Sequence, residues 1–129
     1  MCAVVEPALI RAPENTAVKR DSQVTMKCSI NKLNADSRIK WFRTCDVVSS
    51  DCIIIYNGYK IVRPRFSVTG HKNSTHVTRD LNINSTQLTD AGLYLCAETI
   101  PGQVVENKSA QLVVVGNKLS YFHLMERLS

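Results

Sequence analysis

Five cysteines carry the most distinctive chemistry in this 129-residue sequence. They are Cys2, Cys28, Cys45, Cys52 and Cys96, and no two of them stand in a C-x-x-C arrangement. This spacing argues against a zinc ribbon and against a thioredoxin-type redox pair. We interpret four of them as cystines. Cys2 is left over, as a free thiol, an expression-derived residue or half of an interchain bridge.

Three N-x-S/T sequons accompany the cysteines, at Asn73, Asn84 and Asn107. An asparagine in this motif accepts an N-linked glycan only in the secretory pathway, where disulfides also form. The combination predicts a disulfide-bonded glycoprotein that is extracellular, either secreted or at the cell surface.

The net charge of +5 and the pI of 9.1 permit an anionic partner, such as an acidic glycan or a lipid headgroup. There is no run of lysines and arginines, so a solvated basic surface is the favoured interpretation and no nucleic-acid partner is predicted. Apolar runs are much shorter than the roughly 18 residues of a membrane-spanning helix. Membrane attachment is therefore expected only through segments outside this sequence.

Catalytic signatures are missing from the sequence. It contains no G-x-S-x-G, H-E-x-x-H or G-x-x-x-x-G-K motif. His71 and His76 fall in or beside a polar loop without a carboxylate or free cysteine at ligand spacing, which favours surface histidines over a metal site. We predict a protein that is not an enzyme and that uses no cofactor or metal.

The elements that position these residues have the pattern of strands. Strand-like segments recur about every 8 to 15 residues and are separated by turn residues, as in a sandwich or barrel. In "QVTMKCSI" the apolar side chains alternate with polar ones, which predicts a half-buried strand that carries Cys28. We predict one all-β domain over residues 1–116. Residues 117–129 are interpreted as a tail or stalk that forms a short helix or an extra strand.

Trp41 and the stretch "TDAGLYLCAE", residues 89–98, define the class. Sheets that pack face to face are about 10 Å apart, and a disulfide between inward residues can span this gap with a tryptophan filling the space beside it. Tyr94 shares the face of Cys96. Its hydroxyl can therefore bond back to the turn that Asp90 begins.

At these residues the chain resembles the variable-type, or V-set, domains of the immunoglobulin superfamily. The resemblance implies a Greek-key β-sandwich with an inter-sheet Cys28–Cys96 disulfide. It also implies an ion pair between Arg65 and Asp90. Cys45 and Cys52 flank the turn after the Trp41 strand and are predicted to form a second bridge.

The last strand departs from the pattern of rearranging antigen receptors, which carry F-G-x-G at its start. This chain has Glu106-Asn107-Lys108-Ser109 there. The resemblance is therefore to a non-rearranging relative of antigen-receptor V domains, such as an innate immune receptor.

Two surfaces are predicted to bind partners. The first is the outward side of the sheet that carries Trp41, the GFCC′ face of V-set domains, where an apolar patch would pair with a copy of the chain or with a related V domain. Its predicted members are Phe42, Thr44, Ile54, Leu93 and Leu95. The second is formed by loops at one end of the sandwich, with candidate contacts at Asn34, Tyr56, Tyr59, Ile100, Pro101 and Gln103.

The predicted function is an extracellular recognition module of an immune-type receptor that binds a protein partner. Two alternatives remain open, a cell-adhesion molecule and a secreted binder of microbial or acidic polysaccharide. The polysaccharide alternative assigns the contact to Lys60, Arg63 and Arg65. A glycan on Asn107 would crowd the sheet face, so either that sequon is unused or the dimer is offset.

Overall fold

A computed structural model describes residues 9–32 and 35–116 of the chain. Predictions for Cys2, Asn34 and residues 117–129 lie outside the described residues. The division of the chain at residue 116 therefore stays a prediction.

The described chain forms eleven strands and one short 3-10 helix, over Leu88–Asp90. The strands are β1 (Leu9–Arg11), β2 (Thr16–Lys19), β3 (Val24–Met26), β4 (Ser29–Asn31), β5 (Arg38–Arg43), β6 (Ile53–Tyr56), β7 (Ser67–Thr69), β8 (His76–Thr78), β9 (Asp80–Ile83), β10 (Gly92–Ile100) and β11 (Gln103–Val115). The predicted all-β architecture is confirmed.

The strands form two layers. One layer is a five-stranded sheet in the order β2-β11-β10-β5-β6. The other consists of two three-stranded pieces, β1-β4-β8 and β3-β9-β7. All pairings are antiparallel except that of β2 with β11.

The N-terminal segment contributes to both layers. Strand β1 pairs with β4 in one layer, and β2 pairs with β11 in the other. Pro13 lies between the two strands and is buried. Proline cannot donate to a strand ladder, so the pairing is interrupted where the chain changes layers. Asn15 then accepts a hydrogen bond from the backbone N–H of Gln111 at 2.9 Å and starts the new pairing.

The core between the layers is built on the bridge that the sequence predicts. Cys28 and Cys96 are joined, with their Cα atoms 6.5 Å apart, and both are fully buried beside Trp41. The chain is irregular at Arg79, between β8 and β9, and the Arg79 carbonyl accepts a hydrogen bond from Trp41 Nε1 at 2.8 Å. This bond satisfies the indole N–H, which would otherwise be buried without a partner.

A polar network closes one end of the sandwich. Tyr94 donates its hydroxyl to the Asp90 carbonyl at 2.5 Å, which is the tyrosine corner that the sequence predicts. Arg65 binds both carboxylate oxygens of Asp90, one of them at 2.6 Å, and also donates to the Ser85 carbonyl at 2.7 Å. The backbone N–H of Gln87 donates to the same carboxylate at 2.7 Å.

The network shifts the ionisation of its members. Burial alone would raise the pKa of Asp90, but the hydrogen bonds from Arg65 and from the Gln87 N–H hold it below its usual value. Burial raises the pKa of Tyr94 to about 12. Asp90 is therefore an anion, and Tyr94 remains a hydrogen-bond donor, at physiological pH.

Candidate functional site

The outer side of the five-stranded sheet was predicted to expose an apolar patch. Phe42 pairs with Leu95 on one neighbouring strand and with Ile54 on the other, and these side chains alternate with the inward Trp41 and Cys96. Their outward orientation is as predicted. Their exposure is not, because Leu95 is completely buried and Phe42 is 6% exposed.

The segment that connects β5 to β6 covers these residues. Phe42, Leu95 and Ala97 form a small second core with Cys45, and Val48 and Cys52 pack against it. The prediction that Phe42 and Leu95 are exposed is therefore wrong, because the connection folds back over the sheet face instead of extending away from it.

Two local features direct the connection over the sheet. Thr44 has a φ of +62°, a left-handed conformation that is rare for a threonine, and its N–H donates to the Leu93 carbonyl at 2.6 Å. The predicted second bridge joins Cys45 to Cys52 with a Cα–Cα distance of 5.3 Å. The chain thus turns sharply at the end of β5, and the disulfide closes the loop that follows. We call residues 45–52 the stapled loop.

Exposed apolar side chains lie on the stapled loop and beside it. Val47 in the loop is 59% exposed, Ile54 on β6 is 41% exposed and Leu93 on β10 is 38% exposed. Thr44 is also exposed. We call these four residues the loop rim. Three of them were predicted for this face, and Val47 was missed because the loop was interpreted as a simple hairpin connection.

The loop end of the sandwich differs from the prediction at Tyr56. This residue is 7% exposed, and its hydroxyl accepts a hydrogen bond from Arg79 Nε at 3.3 Å, so Tyr56 is a core residue and not a recognition anchor. The Asn57-Gly58 turn is present, with Gly58 at a φ of +96°. Tyr59 follows it, and this ring is 75% exposed.

The second predicted loop at this end is shorter than expected. Ile100 ends β10 and Gln103 begins β11, so only Pro101 and Gly102 lie between the strands. Gly102 has a φ of +74°, which the third residue of a type II turn requires. Ile100 and Pro101 line a groove together with Tyr59. The structure therefore brings Tyr59, Ile100 and Pro101 of the predicted loop surface together.

The sequons occupy different environments. Asn73 and Asn84 are exposed, and Asn107 is half-buried on β11, where it pairs with Ala97. The side-chain Oδ1 of Asn73 accepts hydrogen bonds from the N–H and the hydroxyl of Thr75. Glycosylation of all three asparagines stays a prediction.

A buried acid was missed by the sequence analysis. Glu98 is 1% exposed on β10, opposite Glu106 of β11, and its Oε1 has no hydrogen-bond partner among the described residues. Burial raises the pKa of Glu98, the Glu106 carboxylate adds to the rise, and the nearby Ser37 hydroxyl opposes it. Glu98 is two residues beyond Cys96, so the strand alternation could have placed it inside.

The described part of the chain, residues 9–32 and 35–116, has neither a metal-binding cluster nor a membrane-spanning helix. It contains no cluster of three histidine, cysteine or acidic side chains that could hold a metal ion. It also contains no helix of the length and hydrophobicity needed to cross a membrane.

Comparison with known proteins assigns the family. The immunoglobulin V-set domain family matches residues 11–115, and the chain therefore belongs to it. No curated protein matches the chain. Among solved structures, it is similar to one from a site-directed photo-crosslinking analysis of multimeric cell-adhesive interactions of VGSC beta subunits. The TM-score is 0.63 at 15% identity, and the match covers 90% of this chain and all of the other. At this identity the likeness shows the fold alone.

Proposed function

We propose that this chain is the recognition domain of a cell-surface or secreted protein and that it pairs with a second V-set domain through the stapled loop and its rim. The observation that supports the proposal is the set of exposed apolar side chains, Val47, Ile54 and Leu93, around a disulfide-closed loop. Contiguous exposed apolar surface on a soluble domain commonly marks a binding site.

The construction of the loop favours binding. A flexible loop loses conformational entropy when a partner orders it. The Cys45–Cys52 bridge and the contacts of Val48 with the buried cluster hold this loop before any partner arrives. The loop rim is therefore a preorganised surface, which lowers the entropic cost of association.

A glycan on Asn107 would lie away from the proposed contact surface. Ile54 lies on the edge strand β6, which is separated from β11 by β10 and β5. Leu93 pairs with Gln111, four residues from Asn107, a distance of roughly 13 Å along a strand. A partner centred on the stapled loop is thus offset from Asn107, and glycosylation and pairing are compatible.

Sedimentation velocity of the glycosylated protein tests this proposal. We expect reversible self-association that Val47→Asp or Ile54→Asp abolishes, because a carboxylate at the centre of an apolar contact is desolvated without a partner. The matched control is Leu88→Asp, at a residue that is 52% exposed on the 3-10 helix. A wild-type protein that stays monomeric at about 100 μM, far above the micromolar dissociation constant of a modest protein contact, would contradict homotypic pairing.

The two biological settings of such a domain predict different partners. In a cell-adhesion molecule the partner is the same chain on an apposed cell; multimeric cell-adhesive interactions are the subject of the study that gave the structurally similar VGSC beta subunit. In an immune-type receptor the partner is a related but different V domain. Aggregation of beads coated with this chain alone would support adhesion, whereas pairing only with a second V domain would support the receptor.

A further inference from the structure

Three cations meet in one cavity at the loop end of the sandwich, remote from the stapled loop. Arg38 begins β5, Lys72 lies between β7 and β8, and Arg79 lies between β8 and β9. All three line a cavity of about 200 Å³ beside Tyr59. We propose that this cavity binds the carboxylate or sulfate group of an acidic saccharide.

The two guanidinium groups are held in place by the protein. Arg79 donates from Nη1 to the Thr78 carbonyl at 2.9 Å and from Nε to the Tyr56 hydroxyl at 3.3 Å. Among the described residues nothing accepts a bond from its Nη2. The Arg38 guanidinium carbon lies 5.0 Å from the centre of the Tyr59 ring, which restrains it by a cation–π contact. Both guanidinium groups are thus preorganised to bind an oxyanion, whose geometry matches their planar donors.

The described lining of this cavity contains the three cations and no acid. Asp36 lines the adjoining groove, which it shares with Arg38. Partial desolvation, followed by repulsion from Arg38, Lys32 and Arg79, lowers the pKa of Lys72. The cations therefore repel one another in the free protein, and a bound anion would relieve that repulsion.

The basic residues expected from the sequence differ from these. Arg65 was predicted to contact acidic polysaccharide together with Lys60 and Arg63, but its guanidinium is bound to Asp90 and to the Ser85 carbonyl. It therefore has little capacity left for a ligand. The cluster of Arg38, Lys72 and Arg79 could not be predicted from the sequence, because its members come from three separate segments.

The surroundings of Tyr59 favour a saccharide over an isolated anion. Tyr59 borders the basic cavity and two further grooves of about 200 and 330 Å³. An exposed aromatic ring offers an apolar plane on which the carbon-bound hydrogens of a sugar ring can pack, and Tyr59 lines all three hollows. An acidic oligosaccharide would place its charged group among the cations and neighbouring units along the grooves.

The test is an NMR and calorimetric titration of the folded protein with a heparin-derived tetrasaccharide. We expect shifts in the amide signals of Gly58, Tyr59 and Lys72, and no binding of the neutral tetrasaccharide maltotetraose. The Arg38→Met/Lys72→Met variant should bind at least about tenfold more weakly, since it loses the charged hydrogen bonds that both side chains would donate to the anion.

The control variant is Lys19→Met/Lys108→Met, which removes the same net charge from exposed positions elsewhere. It should keep most of the affinity. Equal losses in the two double variants, or shifts confined to other strands, would show diffuse electrostatic binding and overturn the proposal. So would maltotetraose binding as tightly as the acidic sugar, or binding to phosphatidylserine vesicles without any binding to the tetrasaccharide. Thermal melts of both variants confirm that the fold is intact.

Discussion

The stapled loop makes a quantitative prediction for the double variant Cys45→Ala/Cys52→Ala. The bridge spans a sequence separation of 7 and closes the segment that covers Phe42 and Leu95. For a loop this short, the chain-entropy relation predicts that losing the cross-link destabilises the fold by about 2.5 kcal/mol. For a domain of this size, that corresponds to a fall in Tm of about 10 °C.

Urea unfolding at pH 7.4, followed by tryptophan fluorescence, measures this change. The double variant should also bind more of a hydrophobic dye, because its loop no longer covers Phe42 and Leu95 permanently. Ser50→Ala, at an exposed position in the same loop, serves as the control and should leave stability unchanged. A loss below about 0.5 kcal/mol, within the range of ordinary surface substitutions, would refute the reasoning that the bridge holds the loop on the sheet.

Three further changes test the interior by urea unfolding, here followed by circular dichroism because Trp41 is the only tryptophan of the sequence. Asp90→Asn should cost about 2 kcal/mol at pH 7, less than a fully buried pair because Arg65 is 36% exposed. This cost should begin to shrink as the pH falls below about 4, the unfolded carboxyl pKa, and should disappear only once the pH has fallen through the lower pKa that Asp90 has in the folded protein. Glu98→Gln should stabilise the protein by about 1 kcal/mol at pH 7.4. The raised pKa of Glu98 makes the wild type lose stability as the pH rises above the unfolded value, a loss that the glutamine removes. Trp41→Phe should cost about 2 to 4 kcal/mol, because it leaves a void and an unpaired Arg79 carbonyl. An unchanged unfolding midpoint in any of these variants would contradict the corresponding argument.

The core and the family could be predicted from the sequence because they depend on local patterns. The alternation around Cys28 determines which side of the strand is buried, and the Asp90-to-Cys96 motif determines the corner that leads into the core strand β10. The residues of each pattern are close together in the sequence, so their spacing is enough to predict how they are arranged. Their positions in the structure agree with the expectation.

The surface could not be predicted as well because it depends on where loops fold. Alternation places Phe42 and Leu95 outward, but it contains no information about a connection that returns over them. Similarly, Tyr56 ends β6 and is buried, and its hydroxyl bonds to Arg79, which lies between β8 and β9. The basic cavity joins three segments whose proximity follows only from the packed sandwich.

Photo-crosslinking between copies of the chain tests the proposed pairing most directly. A benzophenone amino acid placed at Ile54 should form intermolecular cross-links to the stapled loop or to the rim residues Thr44 and Leu93 of a second molecule, as mapped by mass spectrometry. The same group placed at Leu88 should form none. Cross-links from Leu88 with none from Ile54 would contradict recognition through the stapled loop.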